Sequence, residues 1–131
     1  MAKRILRYGD NERIIKAGTI EQRMFIILEG KVSITLTDGD NVFEVAELKK
    51  GDFFGEISLF TNTPRSANVV AVGDVQLAYI DKVEELKAFL MRNPAFAAKM
   101  VQILARRLAE TDKILIGKIT ELNRVKLMRD V

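Results

Sequence analysis

Phe54-Gly55-Glu56-Ile57-Ser58-Leu59-Phe60-Thr61-Asn62-Thr63-Pro64-Arg65-Ser66-Ala67 packs a glycine turn, a carboxylate, the start of a one-turn helix and an arginine into one short stretch. It reads as an anion-binding loop. Gly51 and Gly55 permit sharp turns and a close approach of backbone to a ligand, because a residue without Cβ tolerates positive φ. The segment from Glu56 to Phe60 is too short for more than a helical turn. Most of its N–H groups therefore lack an intrahelical partner and, with the positive end of the dipole, suit a phosphate. Arg65 offers the same oxygens a forked, permanently charged partner. Glu56 would repel phosphate but is accommodated opposite a hydroxyl donor, which points to a ligand carrying both a phosphate and a sugar.

Outward from this stretch the chain reads as strands. Residues 12–16 form one, closed by Ala17-Gly18, and Met24-Phe25-Ile26-Ile27-Leu28 is an apolar strand ending at Glu29-Gly30, with Gly30 in a positive-φ turn. Between Lys31 and Thr37, Val32, Ile34 and Leu36 alternate with Lys31, Ser33, Thr35 and Thr37, the period of a half-buried strand. Asp38-Gly39-Asp40-Asn41 is the hairpin turn that follows. The return strand begins Val42-Phe43-Glu44-Val45 and loses alternation at Ala46-Glu47-Leu48, which predicts a bulge or bend there. Lys49-Lys50-Gly51-Asp52 turns the chain into the loop. Beyond the loop, residues 68–72 and 75–80 are two strands separated by Gly73-Asp74, whereas residues 5–11 read as a surface loop or the end of a small helix. So many short strands at this spacing predict a barrel or jelly roll, with no domain boundary inside it.

Helices come last. Asp81 can cap a short one with Val83, Leu86, Phe89 and Leu90 on its apolar face, and Asn93-Pro94 supplies the N-cap and first-turn proline of the next. That helix runs from about Ala95 toward Leu127, with Gly117 as its one interruption. Val101, Leu104, Leu108, Thr111 and Leu115 recur at spacings of 3 and 4, as in a coiled-coil seam, and Ile119 and Leu122 continue the seam after a one-residue slip. A helix of ~30 residues spans ~45 Å and overreaches a barrel of this size, so a homodimer through this helix is expected.

A chain of 131 residues suits one domain and can bury a core without metal or disulfide staples. No apolar run approaches the ~20 residues of a membrane span, and Met1-Ala2-Lys3-Arg4 does not open a signal peptide. The lack of cysteine removes disulfides that would imply export, which favours the cytoplasm. Of 21 basic residues, eight lie from Lys99 onward against four acidic ones, leaving 13 basic and 14 acidic residues before them. The net charge of +3 thus resides in the tail, where a solvated helix face accounts for it better than a nucleic-acid footprint. With no histidine and no cysteine, imidazole-held metals and Ser-His or Cys-His nucleophile pairs are excluded. No catalytic residue, metal site or cofactor is expected.

The stretch from Phe54 to Ala67 resembles the phosphate-binding cassette of cyclic nucleotide-binding domains: Phe-Gly-Glu, two small or apolar residues, Leu, a short variable stretch, then Pro-Arg, a small residue and Ala. The likeness extends from about Arg13 to the end of the chain and is strongest to the ligand-binding half of bacterial cAMP-receptor-type regulators. It implies a mainly β fold with α: an antiparallel β-roll over about 12–80, carrying the short phosphate-binding helix, and C-terminal helices over about 82–128, together one domain. It assigns the cyclic phosphate to Arg65 and the ribose 2′-hydroxyl to Glu56, with the Gly55 backbone lying against the ribose and Ile57 within the same run. Backbone N–H groups of Ser58 and Ser66, and the Ser66 hydroxyl, would frame the phosphate, while Ala67 keeps the wall small. Ile34, Val45 and Val69 match positions lining the sugar and base side, and equally fit an aliphatic core. Arg107 and Thr111, four apart on one helix face, match positions that reach the ligand, although Thr111 also fits the seam and Arg107 also reads as a solvated charge.

The resemblance thus implies a regulatory module that binds a cyclic purine nucleotide, cAMP before cGMP, and does no chemistry on it. The regulators continue into a helix-turn-helix and this sequence stops at Val131, so DNA binding is not expected of it. A free-standing sensor is favoured by the opening Met1; the alternatives are an excised regulatory domain of a regulator, channel or kinase, and a ligand-free dimerisation scaffold with the same fold.

Overall fold

The computed structural model describes the chain from Arg4 to Arg129, and its side chains through Asn123. Strands β1 (Ile5–Tyr8), β2 (Arg13–Ile15), β3 (Met24–Asp38), β4 (Asn41–Lys49) and β5 (Phe53–Phe54) precede the short helix α1 (Glu56–Thr61). Strand β6 (Asn68–Ile80) follows, then α2 (Val83–Arg92) and α3 (Pro94–Arg129). The six strands form one antiparallel sheet in the order β1-β6-β3-β4, with β2 on β6 and β5 on β3. This is the β-roll, with helices after it.

Two long strands, β3 and β6, are its spine, paired from Met24 with Ile80 to Thr35 with Asn68. Their register shifts on either side of Glu29, so the sheet bends there rather than breaking. Gly30 and Gly73-Asp74, expected to end strands, instead lie within them. Gly30 has φ 91°, and a Cβ on it would come within 2.4 Å of the Asp74 carbonyl oxygen; the bend needs glycine for conformation and for space. Along β3–β4 the register shifts between Ile34, opposite Ala46, and Thr35, opposite Glu44, leaving Val45 as the extra residue. The bulge is one residue earlier than the loss of alternation indicates.

Inside the bend, Phe25, Ile27, Val32, Phe54, Val69, Ala71, Val75 and Leu77 form a buried cluster with Ile14 and Ile15. Fully burying such a side chain contributes about 1.5–3 kcal/mol each. Residues 5–11, expected as loop or helix end, contain β1: Leu6 and Tyr8 pack against this cluster while Ile5 and Arg7 face outward. Burial fades toward the β3–β4 hairpin tip, where Leu36, Val42 and Phe43 are exposed.

The chain divides into two compact units, one through Lys87 and one from Ala88. In the first, Lys82 rather than Asp81 immediately precedes α2, its carbonyl accepting from the Leu86 N–H at 3.2 Å, and the Asp81 carboxylate accepts from Arg4 Nη1. In the second, Asn93 stands at the N-cap of α3, its carbonyl accepting from the Ala97 N–H at 3.0 Å with Pro94 as the first helical residue, while its side-chain amide donates back to the Phe89 carbonyl at 2.8 Å. Helix α3 runs unbroken through Gly117. The tail charges at Arg124, Lys126, Arg129 and Asp130 lie outside the described side chains. Among the described residues, no helix is long and apolar enough to cross a membrane.

Candidate ligand site

Gly55 and Arg65 are built around each other. Gly55 precedes α1 with φ 82° and ψ 7°, a left-handed conformation costly for a residue with Cβ. A Cβ there would also stand 2.7 Å from Arg65 Nη1 and 2.9 Å from the Arg23 carbonyl oxygen. The glycine is therefore needed twice, for its dihedral and for the guanidinium beside it. Arg65 Nη1 donates to the Gly55 carbonyl at 3.0 Å and Nη2 to the Arg23 carbonyl at 2.6 Å.

Backbone bonds fix the other end of the same residue. The Arg65 N–H donates to the Thr19 carbonyl at 2.8 Å, and the Gly18 N–H donates to the Arg65 carbonyl at 2.8 Å. The residue is 6% exposed, and its Nε is buried without a hydrogen-bond partner. Burial lowers the Arg65 pKa from its ordinary value, with Glu21 and Glu56 acting in the opposite direction and Arg23 adding to the lowering. The guanidinium stays charged at neutral pH. A buried cation holding a free N–H is poised for an anion, since an unmet buried donor is costly.

Glu56, the first residue of α1, and Ser58 are buried with Leu59, while Ile57 is 65% exposed. The Ser58 hydroxyl donates to the Thr63 carbonyl at 3.3 Å, which ties the helical turn to the segment leading into Arg65. Asn62 ends α1 at φ 53°, its N–H bonded to the Ser58 carbonyl. Ser66 is exposed and Ala67 half-buried, immediately before β6. The fold thus gathers Gly55, Glu56, Ser58 and Arg65 into one loop closed by its own hydrogen bonds.

The wall positions separate. Ile34 pairs with Val69 across β3 and β6; Val69 is buried in the core cluster and Ile34 packs against it. Val45 is 54% exposed at the bulge. Arg107 and Thr111 lie in the second compact unit. There Arg107 is half-buried, Thr111 is exposed, and the Thr111 hydroxyl donates to the Arg107 carbonyl at 2.9 Å.

Arg23 and Thr19 escape sequence reasoning. They act on Arg65 through backbone carbonyls, which any residue type carries, so no side-chain signal marks them. Among the described residues no group of three His, Cys, Asp or Glu could hold a metal.

Comparison with known proteins agrees with this fold. The family model for the cyclic nucleotide-binding domain matches residues 5–93, and the chain belongs to that family. It is 43% identical over 83 residues to the cAMP-dependent protein kinase type II regulatory subunit of Drosophila melanogaster, covering 63% of this chain and 21% of that protein. It is 35% identical over 106 residues to the cyclic AMP receptor protein of Thermus thermophilus, covering 80% of this chain and 49% of that one. The chain thus spans less than half the length of either relative. The crystal structure of the Thermus thermophilus catabolite activator protein superposes with a TM-score of 0.73 at 33% identity, covering 86% of this chain and 53% of that one. This is a cyclic nucleotide-binding domain of the regulatory type.

Proposed function

We propose that the loop from Gly55 to Ala67 binds cAMP, with cGMP second, and that the domain senses the nucleotide without transforming it. The observation that carries this reading is Arg65: a buried guanidinium held on the Gly55 and Arg23 carbonyls with its Nε unpartnered. The cyclic phosphate takes that charge and the N–H groups near Ser58 and Ser66, the Glu56 carboxylate accepts from the ribose 2′-hydroxyl, and Ala67, Val69, Ile34 and Val45 flank sugar and base. Arg107 and Thr111 are the proposed readers of the base.

The state of the Thr111 hydroxyl supports adenine over guanine. The hydroxyl donates to the Arg107 carbonyl at 2.9 Å, which leaves its oxygen lone pairs to accept from a base edge. The adenine 6-amino group donates, whereas guanine carries an acceptor at the same position. Sensing requires two states of unequal affinity, because a ligand that binds both equally shifts neither. The exposed apolar side chains of α3, Val101, Leu108, Leu115, Ile119 and Leu122, fit a helix-to-helix homodimer as the second element of the readout.

Competitive titration of cAMP and cGMP against the full chain tests the reading. Saturable cAMP binding at lower concentration than cGMP is expected, with the nucleotide recovered intact; tighter cGMP binding reverses the assignment, and formation of AMP ends the sensor reading.

A further inference from the structure

The hydrogen bonds of Arg65 lead away from the loop as well as into it. Its Nη2 donates to the Arg23 carbonyl, and the Arg23 side chain bonds to Glu21 through Nε. The Arg23 guanidinium carbon lies 4.9 Å from the Tyr79 ring centroid and 5.3 Å from that of Phe25. Phe25 stacks on Phe54 with centroids 5.1 Å apart, and Phe54 adjoins Gly55, whose carbonyl accepts Arg65 Nη1. Arg23 therefore closes a circuit of Arg65, Gly55, Phe54 and Phe25, pinned by sheet pairing of Phe25 with Phe54 and with Tyr79.

From Tyr79 the contacts continue outward. The Arg4 guanidinium carbon lies 5.6 Å from the same ring centroid; its Nη1 donates to Asp81 and its Nη2 is 3.1 Å from Glu85. Glu85 is in the first turn of α2, and every residue of this path belongs to the first compact unit. The Arg4 contact holds the Asp81 carboxyl below its ordinary pKa. A cation over an aromatic face is attracted by the ring quadrupole, so two arginines sharing Tyr79 connect a backbone carbonyl at the loop to carboxylates at the helix start.

We propose that Arg23 is a positioning residue and that the path Arg65, Arg23, Tyr79, Arg4, Asp81 and Glu85 couples the phosphate loop to the first turn of α2. The proposal rests on Arg65 as the phosphate partner for its ligand-dependent part only. Occupancy of Arg65 alters how firmly it holds the Arg23 carbonyl, and by linkage the Arg4 contacts with Asp81 and Glu85 alter the loop's affinity.

A double-variant cycle on the full chain tests the path without nucleotide. Arg65→Ala and Tyr79→Leu are unfolded in urea singly and together. Sites without a shared network give additive effects; the path predicts a departure of about threefold or more in the unfolding equilibrium constant, and additivity when Tyr79→Phe, which keeps the ring, replaces Tyr79→Leu. Additivity overturns the proposal. With cAMP, hydrogen exchange at amides 82–87 is expected to change about twofold or more. Arg4→Gln, which takes the half-buried guanidinium away from Tyr79, Asp81 and Glu85, should abolish that response while shifting affinity by no more than about threefold. A full response in Arg4→Gln, or none in the wild type with nucleotide bound, overturns the coupling. A non-additive cycle in a protein that binds neither cAMP nor cGMP sinks the phosphate assignment alone.

Discussion

The loop from Gly55 to Ala67 and the long helix are determined in opposite ways. At the loop, one arginine that is 6% exposed holds two carbonyls with its side chain and two more hydrogen bonds with its backbone, against a glycine that no other residue can replace without a clash. Along α3, Leu108, Leu115 and Leu122 are 57–70% exposed, and the helix is defined by its own backbone ladder. The loop's chemistry is therefore written in its internal contacts, whereas the helix face acquires its meaning from whatever covers it. Experiments that remove single groups should discriminate the two regions, with large and local effects at the loop and small, separable ones on the helix.

The largest effect is expected at Arg65. Arg65→Ala removes the charged fork and should weaken cAMP binding by about a hundredfold or more, in line with about 2–5 kcal/mol for a desolvated charge contact. It also leaves the Gly55 and Arg23 carbonyls without the guanidinium, so the free protein should lose about 1–3 kcal/mol of stability. The sequence alone suggests a fold left nearly unchanged, because the carbonyl contacts are not visible in it. Calorimetry with cAMP and urea unfolding without it read the two losses separately; unchanged affinity would remove Arg65 from the site.

Glu56 should have a smaller and more selective effect. Glu56→Ala is expected to weaken cAMP by about tenfold, since a hydrogen bond to a charged group contributes about 1.5–3 kcal/mol, and to leave 2′-deoxy-cAMP nearly unaffected. Titrating both nucleotides against wild type and variant isolates the hydroxyl contact. Equal binding of cAMP and 2′-deoxy-cAMP by the wild type would show that Glu56, buried at the start of α1, serves the loop and not the ribose.

Legibility in the sequence follows the same division. The loop turn is readable because Gly55 alone fits a left-handed backbone pressed against the Arg65 guanidinium, and the alternation of β3 is readable because one face is buried. Strand β1 is hidden because Ile5 puts an apolar side chain on the outward face beside Arg7, blurring a period that Leu6 and Tyr8 carry. Gly30 and Gly73 look like strand ends because glycine signals both a turn and a bend inside a sheet; only the pairing of β3 with β6 distinguishes them. Asn93-Pro94 is readable as the start of α3 and stands there, whereas Asp81 looks like the N-cap of α2 but lies one residue before it, with its carboxylate engaged by Arg4. Contacts to backbone carbonyls, as at Arg23, carry no residue-type signature.

The smallest effects should separate two roles on α3 that share one stripe. Thr111→Val keeps the shape and removes the oxygen, so it should leave the mass of the protein unchanged and cut the preference for cAMP over cGMP by about fivefold, the order of one neutral hydrogen bond. Leu115→Glu, one turn further along the same exposed face, should do the reverse: it puts a charge into a helix-to-helix seam, lowering the sedimenting mass toward a monomer while leaving base preference within about twofold. Sedimentation and paired titrations on the two full-length variants read both quantities. If Thr111→Val changes neither affinity nor preference, Thr111 belongs to the seam and not to the base. If Leu115→Glu leaves the mass unchanged, the exposed stripe is not the dimer face. The first of these results would confine nucleotide recognition to the loop, where the Arg65 guanidinium holds the Gly55 and Arg23 carbonyls and its Nε is buried without a partner.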